Sequence, residues 1–251
     1  MLLGTMRTSY DIIGVNYSDL RKPDARIGAM IERALGPAKT VLNVGAGAGS
    51  YEPAGRLVTA IEPSVEMIRQ RGASAAPTAQ GFAEDLPFND NSFDASMAIL
   101  TVHHWADKQK GLKEMRRVTR GSVVLLTFDP AFRGFWLADY IPELVQLDDE
   151  IMPRISDYEH WLGSVEISTV PVPHDCTDGF LYAYWRRPEA YLDPRITAAM
   201  SSFWTIDNIS ERLEKLARDL DSGVWAKRYS DLLNLDQCDA GYRLVTTKKP
   251  A

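Results

Sequence analysis

Cysteine is scarce in this chain: Cys176 and Cys238 are the only two among 251 residues. Two thiols cannot make a disulfide framework, and they lack the paired CxxC spacing of a zinc site. They fit a reducing compartment, so a cytoplasmic protein with no bound metal is expected. Long apolar runs are also missing. No stretch approaches the roughly 18–20 residues that a membrane-spanning helix needs. The apolar segment 1–6 is too short for a signal-peptide core, and Arg7 follows it instead of preceding it. No membrane partner is expected. Basic residues are outnumbered, 28 Lys plus Arg against 34 Asp plus Glu, for a net charge of −6. That balance disfavours nucleic-acid binding, which needs clustered cations on the phosphates. Repeats and low-complexity tracts are absent.

The rest is ordinary globular composition, 45% hydrophobic and 25% charged, in a length that suits one α/β domain. The first half alternates strand-like and helix-like pieces. Residues 24–35 place Ile27, Met30, Ile31, Ala34 and Leu35 on one helical stripe, stopped by Gly36 and Pro37. Short apolar runs at 40–44, 57–61, 93–102 and 123–128, with a weaker one at 78–82, read as strands. Helices are expected at 65–71, with Ser64 as its cap, and at 107–120. Such alternation of near-continuous apolar strands with helices predicts a parallel sheet covered on both faces. The second half predicts a helix at 135–147, a strand at 165–172, an aromatic-rich helical segment at 178–233 and a final strand at 241–248. The expected organisation is one domain: a core at 10–130, connecting helices at 131–163, and a helical cap inserted before the last strand.

The sharpest feature is VLNVGAGAG at 41–49, a strand running into Gly45, Gly47 and Gly49. Small residues there let a ligand lie against bare backbone at the carboxyl end of a sheet. Glu62 stands nineteen residues after Asn43, at the end of the next strand, where a carboxylate can hold a ribose diol. The dinucleotide spacing GxGxxG is not met, because the third glycine comes one residue early. Only seven residues, including Pro53 and Gly55, separate Gly49 from Leu57, leaving room for at most one helical turn. A pyrophosphate wants the positive end of a proper helix. The pattern therefore disfavours a nicotinamide oxidoreductase and suits a ligand with ribose and adenine but no phosphates.

Six pieces in order carry a family resemblance: NVGAGAG at 43–49, EPSVEM at 62–67, AEDLPF at 83–88, NSFD at 91–94, HHWAD at 103–107 and EMRRV at 114–118. Over about residues 10–130 the chain resembles the class I S-adenosylmethionine-dependent methyltransferases, in particular their ubiquinone/menaquinone-biosynthesis branch. The resemblance implies a Rossmann-like α/β fold, a seven-stranded mostly parallel sheet with helices on both faces and the helical cap before the last strand. It also implies S-adenosylmethionine as cofactor. By position, Gly45 and Gly47 would pass under its methionine part and Glu62, followed by Pro63, would hold the ribose. Met67, Phe82, Ala83 and Glu84 would lie about the adenine, and Ile99 and Leu100 beneath the sulfonium. Tyr17 and Arg21 would sit in a segment closing over the cofactor, with Arg21 paired to its carboxylate. Asn43 departs from the family, which usually has Asp or Glu there.

Methyl transfer from a sulfonium depends mainly on alignment, with a base needed only where the acceptor must lose a proton. His103 and His104 follow the fourth strand, where the pocket should open, and read as base or acceptor-orienting groups; the alternative is a packed ring and a loop cap. In the cap, Tyr182, Trp185, Arg186 and Tyr191 suit a lid over a flat or anionic small molecule, or equally an anchor for the cap itself. Cys176 beside His174 has no activated geometry that sequence can establish. The expected activity is methyl transfer to a small aromatic, quinone-like, polyketide-like or acidic metabolite, by a monomer or homodimer. The alternative is an S-adenosylmethionine-binding protein without methyl transfer, either a regulatory module or a cyclase-like enzyme.

Overall fold

The structure, a computed structural model, describes residues 20–247. Seven strands form one sheet: β1 (Thr40–Val44), β2 (Leu57–Glu62), β3 (Thr78–Gln80), β4 (Ala95–Ile99), β5 (Val123–Phe128), β6 (Val165–Pro173) and β7 (Gln237–Thr247). Their spatial order is β3-β2-β1-β4-β5-β7-β6. The pairs from β3 to β5 are parallel, while β7 runs antiparallel to both β5 and β6. The carboxyl ends of β1, β2, β4, β5 and β6 therefore share one edge of the molecule, where the functional loops emerge.

Residues alternate between the two faces of the sheet. Val41, Met97, Val124 and Leu126 pack into one core, and Leu42, Ala98, Val123 and Leu125 into the other. The first core takes helix α1 (Ala25–Leu35), whose Ile27, Ile31 and Leu35 are buried one turn apart. Asp24 caps α1 by accepting from the Arg26 N–H, and Gly36, at φ +58°, ends it. On the opposite face α3 (Lys108–Val118), which follows the short α2 (Val65–Arg69), buries Leu112, Met115 and Val118. Asp107 caps α3 through the Lys110 N–H.

Several boundaries differ from those the pattern predicts. The fourth strand is confined to Ala95–Ile99 because Asn91 and Leu100, at φ +55° and +50°, turn the chain at either side. The expected helix 135–147 is two pieces, a 3-10 turn at Trp136–Asp139 and α4 (Glu143–Ile151), with Pro142 at the break. Helix α5 (Ile155–Leu162) follows it. Strand β7 begins at Gln237, four residues early, because Val172 and Pro173 of β6 pair with Cys238 and Gln237 beyond a register shift.

The 178–233 segment opens with turns before its helical pieces, α6 (Pro194–Thr197), α7 (Ser201–Thr205), α8 (Ile209–Asp221) and α9 (Val224–Arg228). Its Tyr182, Trp185, Tyr191, Leu216 and Trp225 belong to the same core as α1. The segment is thus a packed layer on one face of the sheet, and its residues 180–182 and 199–202 line a cavity beside the strand ends.

Candidate functional site

The loop after β1 is shaped by its glycines. Gly45 and Gly47 have φ of +68° and +52°, and a Cβ on Gly45 would lie 2.3 Å from the Thr101 hydroxyl oxygen. The Gly45 and Ala46 N–H groups both donate to the Ile61 carbonyl, at 2.9 and 3.1 Å. Glu62 ties this loop to the next one. Its Oε2 accepts from the Gly47 N–H at 2.8 Å and its Oε1 from the Ser64 N–H at 2.9 Å, and the residue is buried. The carboxylate expected to hold a ribose thus braces two loops as well, so its removal disturbs the backbone beneath the ligand. Residues 50–56 carry no helix.

A second brace lies under the same loop, and no sequence motif announces it. Arg71 donates to the Gly47 carbonyl at 2.9 Å, to Glu52 Oε1 at 2.5 Å and to the Ala76 carbonyl at 3.1 Å. Glu52 in turn accepts from the Asn43 amide at 3.2 Å and from the Ala76 N–H at 2.8 Å. Both side chains are almost fully enclosed, at 6% and 9% exposure.

These loops bound a cavity of about 270 Å³. Of the residues expected at the cofactor, Arg21, Asn43, Gly45, Gly47, Glu62 and Pro63 line it, as do Met67, Phe82, Ala83, Glu84, Ile99 and Leu100. Tyr17 lies outside the described residues. Tyr51, Thr101 and Trp105 also line the cavity without having been singled out in the sequence. Leu100 and Tyr51 hold positive φ without being glycine, a costly conformation that concentrates at ligand sites. Arg21 does not stand alone: its Nε donates to Asp178 Oδ1 at 2.5 Å, and the Tyr51 hydroxyl donates to Oδ2 of the same buried carboxylate at 2.9 Å. This links the start of the described chain to the start of the cap.

A smaller cavity of about 60 Å³ adjoins the first, and Arg21 and Leu100 line both. Its wall comes from Phe128 at the end of β5, from the end of α4, from Phe180 and Tyr182, and from residues 199–202. The two histidines divide between the cavities, His104 facing the large one and His103 the small one. Their rings lie 3.9 Å apart, tilted by 47°. The surrounding protein atoms and the cations Lys108 and Arg21 push His104 down to about 4, although its side chain is exposed toward the cavity; the half-buried His103 is held well below the usual imidazole range by desolvation, then by His104, Lys108 and Arg21. Both rings are therefore neutral at pH 7.

Of the four cap residues expected at the acceptor, Tyr182 lines the smaller of these two cavities and the other three line neither. Trp185 is fully buried, and its indole N–H donates to the Val172 and Pro173 carbonyls at 3.0 and 3.3 Å. Tyr191 is fully buried with its hydroxyl on the Leu181 carbonyl at 2.8 Å. Arg186 points elsewhere, donating to the Leu235 carbonyl at 2.8 Å. Trp185 anchors the cap to strand β6, Tyr191 ties the cap to itself, Arg186 reaches the segment before β7, and none of the three lines the two cavities. Cys176 is buried, and burial raises its thiol to about 12, which removes it as a nucleophile.

The sheet order, a glycine loop free of a following helix and a buried carboxylate one strand away define an α/β protein that binds a nucleoside at its strand ends. Residues 42–127 match the family described as methyltransferase domain. A crystal structure from Anabaena variabilis, described as a methyltransferase from an antibiotic biosynthesis pathway, is 35% identical with a TM-score of 0.86, covering 92% of this chain and 100% of that one. Among curated proteins, 2-methyl-6-phytyl-1,4-hydroquinone methyltransferase 2 of Oryza sativa is 28% identical over 170 residues, 61% of this chain and 47% of that protein. Demethylmenaquinone methyltransferase of Mycolicibacterium paratuberculosis is 30% identical over 128 residues, 49% and 54%. The chain spans about half the length of these curated relatives. It belongs to the S-adenosylmethionine-dependent methyltransferase family.

The large cavity fits that cofactor. Glu62 places a carboxylate where a ribose diol can donate, and Met67, Phe82 and Pro63 offer an apolar cleft for adenine. Gly47 leaves the loop bare, since a Cβ there would press on Met67 Cε at 3.3 Å. Among the described residues no helix is long and apolar enough to cross a membrane.

Proposed function

We propose that this protein transfers the methyl group of S-adenosylmethionine to a small organic acceptor held in the adjoining cavity. The observation that carries this reading is the pair of cavities sharing Arg21 and Leu100, with the two histidines between them. The bound cofactor supplies a methyl already activated by its sulfonium. The protein's task is then alignment and exclusion of water. Leu100, held in its strained conformation, is part of the wall of both cavities. His103 and His104, held neutral at pH 7, can accept a hydrogen bond from an acceptor hydroxyl or amine and orient it, while their lowered basicity makes them weak proton abstractors. Relatives named as hydroquinone and demethylmenaquinone methyltransferases support an acceptor of aromatic or quinone type.

Calorimetric titration tests the reading at its base. S-Adenosylhomocysteine should bind and NAD should bind far more weakly; the reverse order refutes it. Incubation with methyl-labelled S-adenosylmethionine and a pool of phenols, hydroquinones and aromatic amines tests the transfer. Cofactor binding without any labelled product across such a pool favours a protein that uses the cofactor without methyl transfer.

A further inference from the structure

One buried charge near the site has no part in cofactor binding. Asp148, in the last turn of α4, lies beneath the cap with 4% of its surface exposed, and it lines the smaller cavity. Its Oδ2 accepts the Tyr182 hydroxyl at 3.0 Å, and no other donor among the described residues reaches the carboxyl. The walls around it are largely aromatic and apolar, with Phe128, Phe180, Tyr182, Tyr242 and Met152 among them and Ser201 and Ser202 at one side. The rings pack closely, Phe128 to Tyr182 at 5.1 Å and Phe180 to Tyr242 at 4.5 Å between centroids.

The charge balance of this cavity has a definite sign. Arg21 also lines it, but its guanidinium is matched by the fully buried Asp178. His103 is neutral. Asp148 is left as the one ionisable group in the lining whose charge no cation in the lining offsets. A carboxylate in apolar surroundings gains most from a ligand that brings a hydrogen-bond donor or a positive charge, and it repels a second anion. Aromatic walls add attraction for a flat ring and for a cation over its face.

We propose that the Asp148 carboxyl, presented with Tyr182, is the specificity element of the acceptor site, selecting a flat aromatic molecule with a hydroxyl or amine donor and rejecting one with a carboxylate at that end. The proposal rests on the methyltransferase reading and narrows it. Acidic metabolites leave the list of acceptors. Arg186, the expected anion holder, lies outside the cavity, which agrees with this selection.

Three matched probes test it: tyramine, 4-ethylphenol and 4-hydroxyphenylacetate share a phenol ring and differ in the charge of the tail. Binding of S-adenosylhomocysteine to the full chain is measured first, and each probe is then titrated against the saturated protein. The expected order is tyramine, then 4-ethylphenol, then 4-hydroxyphenylacetate, with at least tenfold between the first and the last. Asp148→Asn should bring the first and last within threefold. Tyr182→Phe, which removes the competing donor and keeps the ring, should preserve or widen the tenfold gap. An anionic probe that binds as well as tyramine overturns the proposal, as does failure of tyramine and 4-ethylphenol to bind. So does an unchanged ratio in a folded Asp148→Asn protein. Should that variant not fold, the wild-type order and Tyr182→Phe still decide. Absence of S-adenosylhomocysteine binding overturns the cofactor reading together with this one, whereas normal cofactor binding with no preference among probes overturns this one alone.

Discussion

Arg71→Ala should damage the cofactor loop from below without touching the ligand. The guanidinium makes three contacts, to the Gly47 carbonyl, to Glu52 and to the Ala76 carbonyl, and it does not line the cavity. Truncation leaves Glu52 buried with only the Asn43 amide and the Ala76 N–H as donors. Removing one partner of a buried ion pair costs about 3–5 kcal/mol, and Arg71 and Glu52 are enclosed enough for that range to apply. We therefore expect a loss of about 3–4 kcal/mol in urea unfolding. Gly47 also loses the donor that holds its carbonyl, so S-adenosylhomocysteine affinity should fall about tenfold, near 1.4 kcal/mol. The double variant Arg71→Met with Glu52→Met removes both charges together, and it should recover at least half of the stability loss. A cycle built from the two singles and the double measures the coupling directly. A single-variant loss below about 1 kcal/mol with cofactor affinity unchanged would show that the brace carries nothing.

Trp185→Ala should cost about 3–5 kcal/mol through an emptied core site and two lost acceptor partners, while Arg186→Ala should change stability by under about 0.5 kcal/mol. Equal, small effects in urea unfolding would contradict the buried anchor. Burial raises Asp148 to about 6 from the ordinary carboxylate value; the neighbouring Asp149 adds to the rise, and the Tyr182 hydroxyl and Arg133 oppose it more weakly. A carboxyl raised on folding stabilises the fold below its unfolded value near 4, and that stability is lost as pH rises through about 6. Across two pH units the change is about 3 kcal/mol, so Asp148→Asn should gain on wild type by about that much between pH 4 and pH 7. A flat difference between the two pH values refutes the raised value. Leu100→Gly relieves a positive φ worth about 1 kcal/mol but removes a side chain lining both cavities. Stability should stay within about 1 kcal/mol of wild type while kcat falls; an unchanged kcat at saturating acceptor shows that Leu100 does not align the acceptor.

How far the fold could be read from sequence follows from what each element buries. Parallel strands covered on both sides are apolar nearly throughout, so β1 and β5 stand out as apolar runs in which Asn43 and Thr127 are the interior polar residues. Helices α1 and α3 bury a single stripe and begin at an Asp cap, both of which are local signals. The start of β7 at Gln237 is set instead by what β6 presents across a bulge, a long-range fact that no local pattern carries. The cap residues Trp185 and Tyr191 illustrate the same limit. An indole that closes a core and an indole that faces a ligand have the same composition and neighbours in sequence. Only the distant Val172, Pro173 and Leu181 carbonyls distinguish the two. Asp148 was invisible for the converse reason: on a helix already carrying Asp149 and Glu150 it looks like one more solvated acid.

The site shows why Asn43 departs from the acid usual in the family. Its amide nitrogen donates to Glu52 at 3.2 Å, so the position faces a carboxylate that is itself buried and committed to Arg71. An aspartate at 43 would set two carboxylates about 3 Å apart, where each disfavours the other's ionised form. An amide satisfies Glu52 with one end and keeps its carbonyl oxygen as an acceptor beside a cavity that Asn43 lines. The acid at this end of the loop is thus Glu52, paired with Arg71 and accepting from the Asn43 amide. In this arrangement the loop's geometry, the Gly47 carbonyl included, depends on Arg71 and Glu52, two residues that hold no ligand and lie outside every glycine motif.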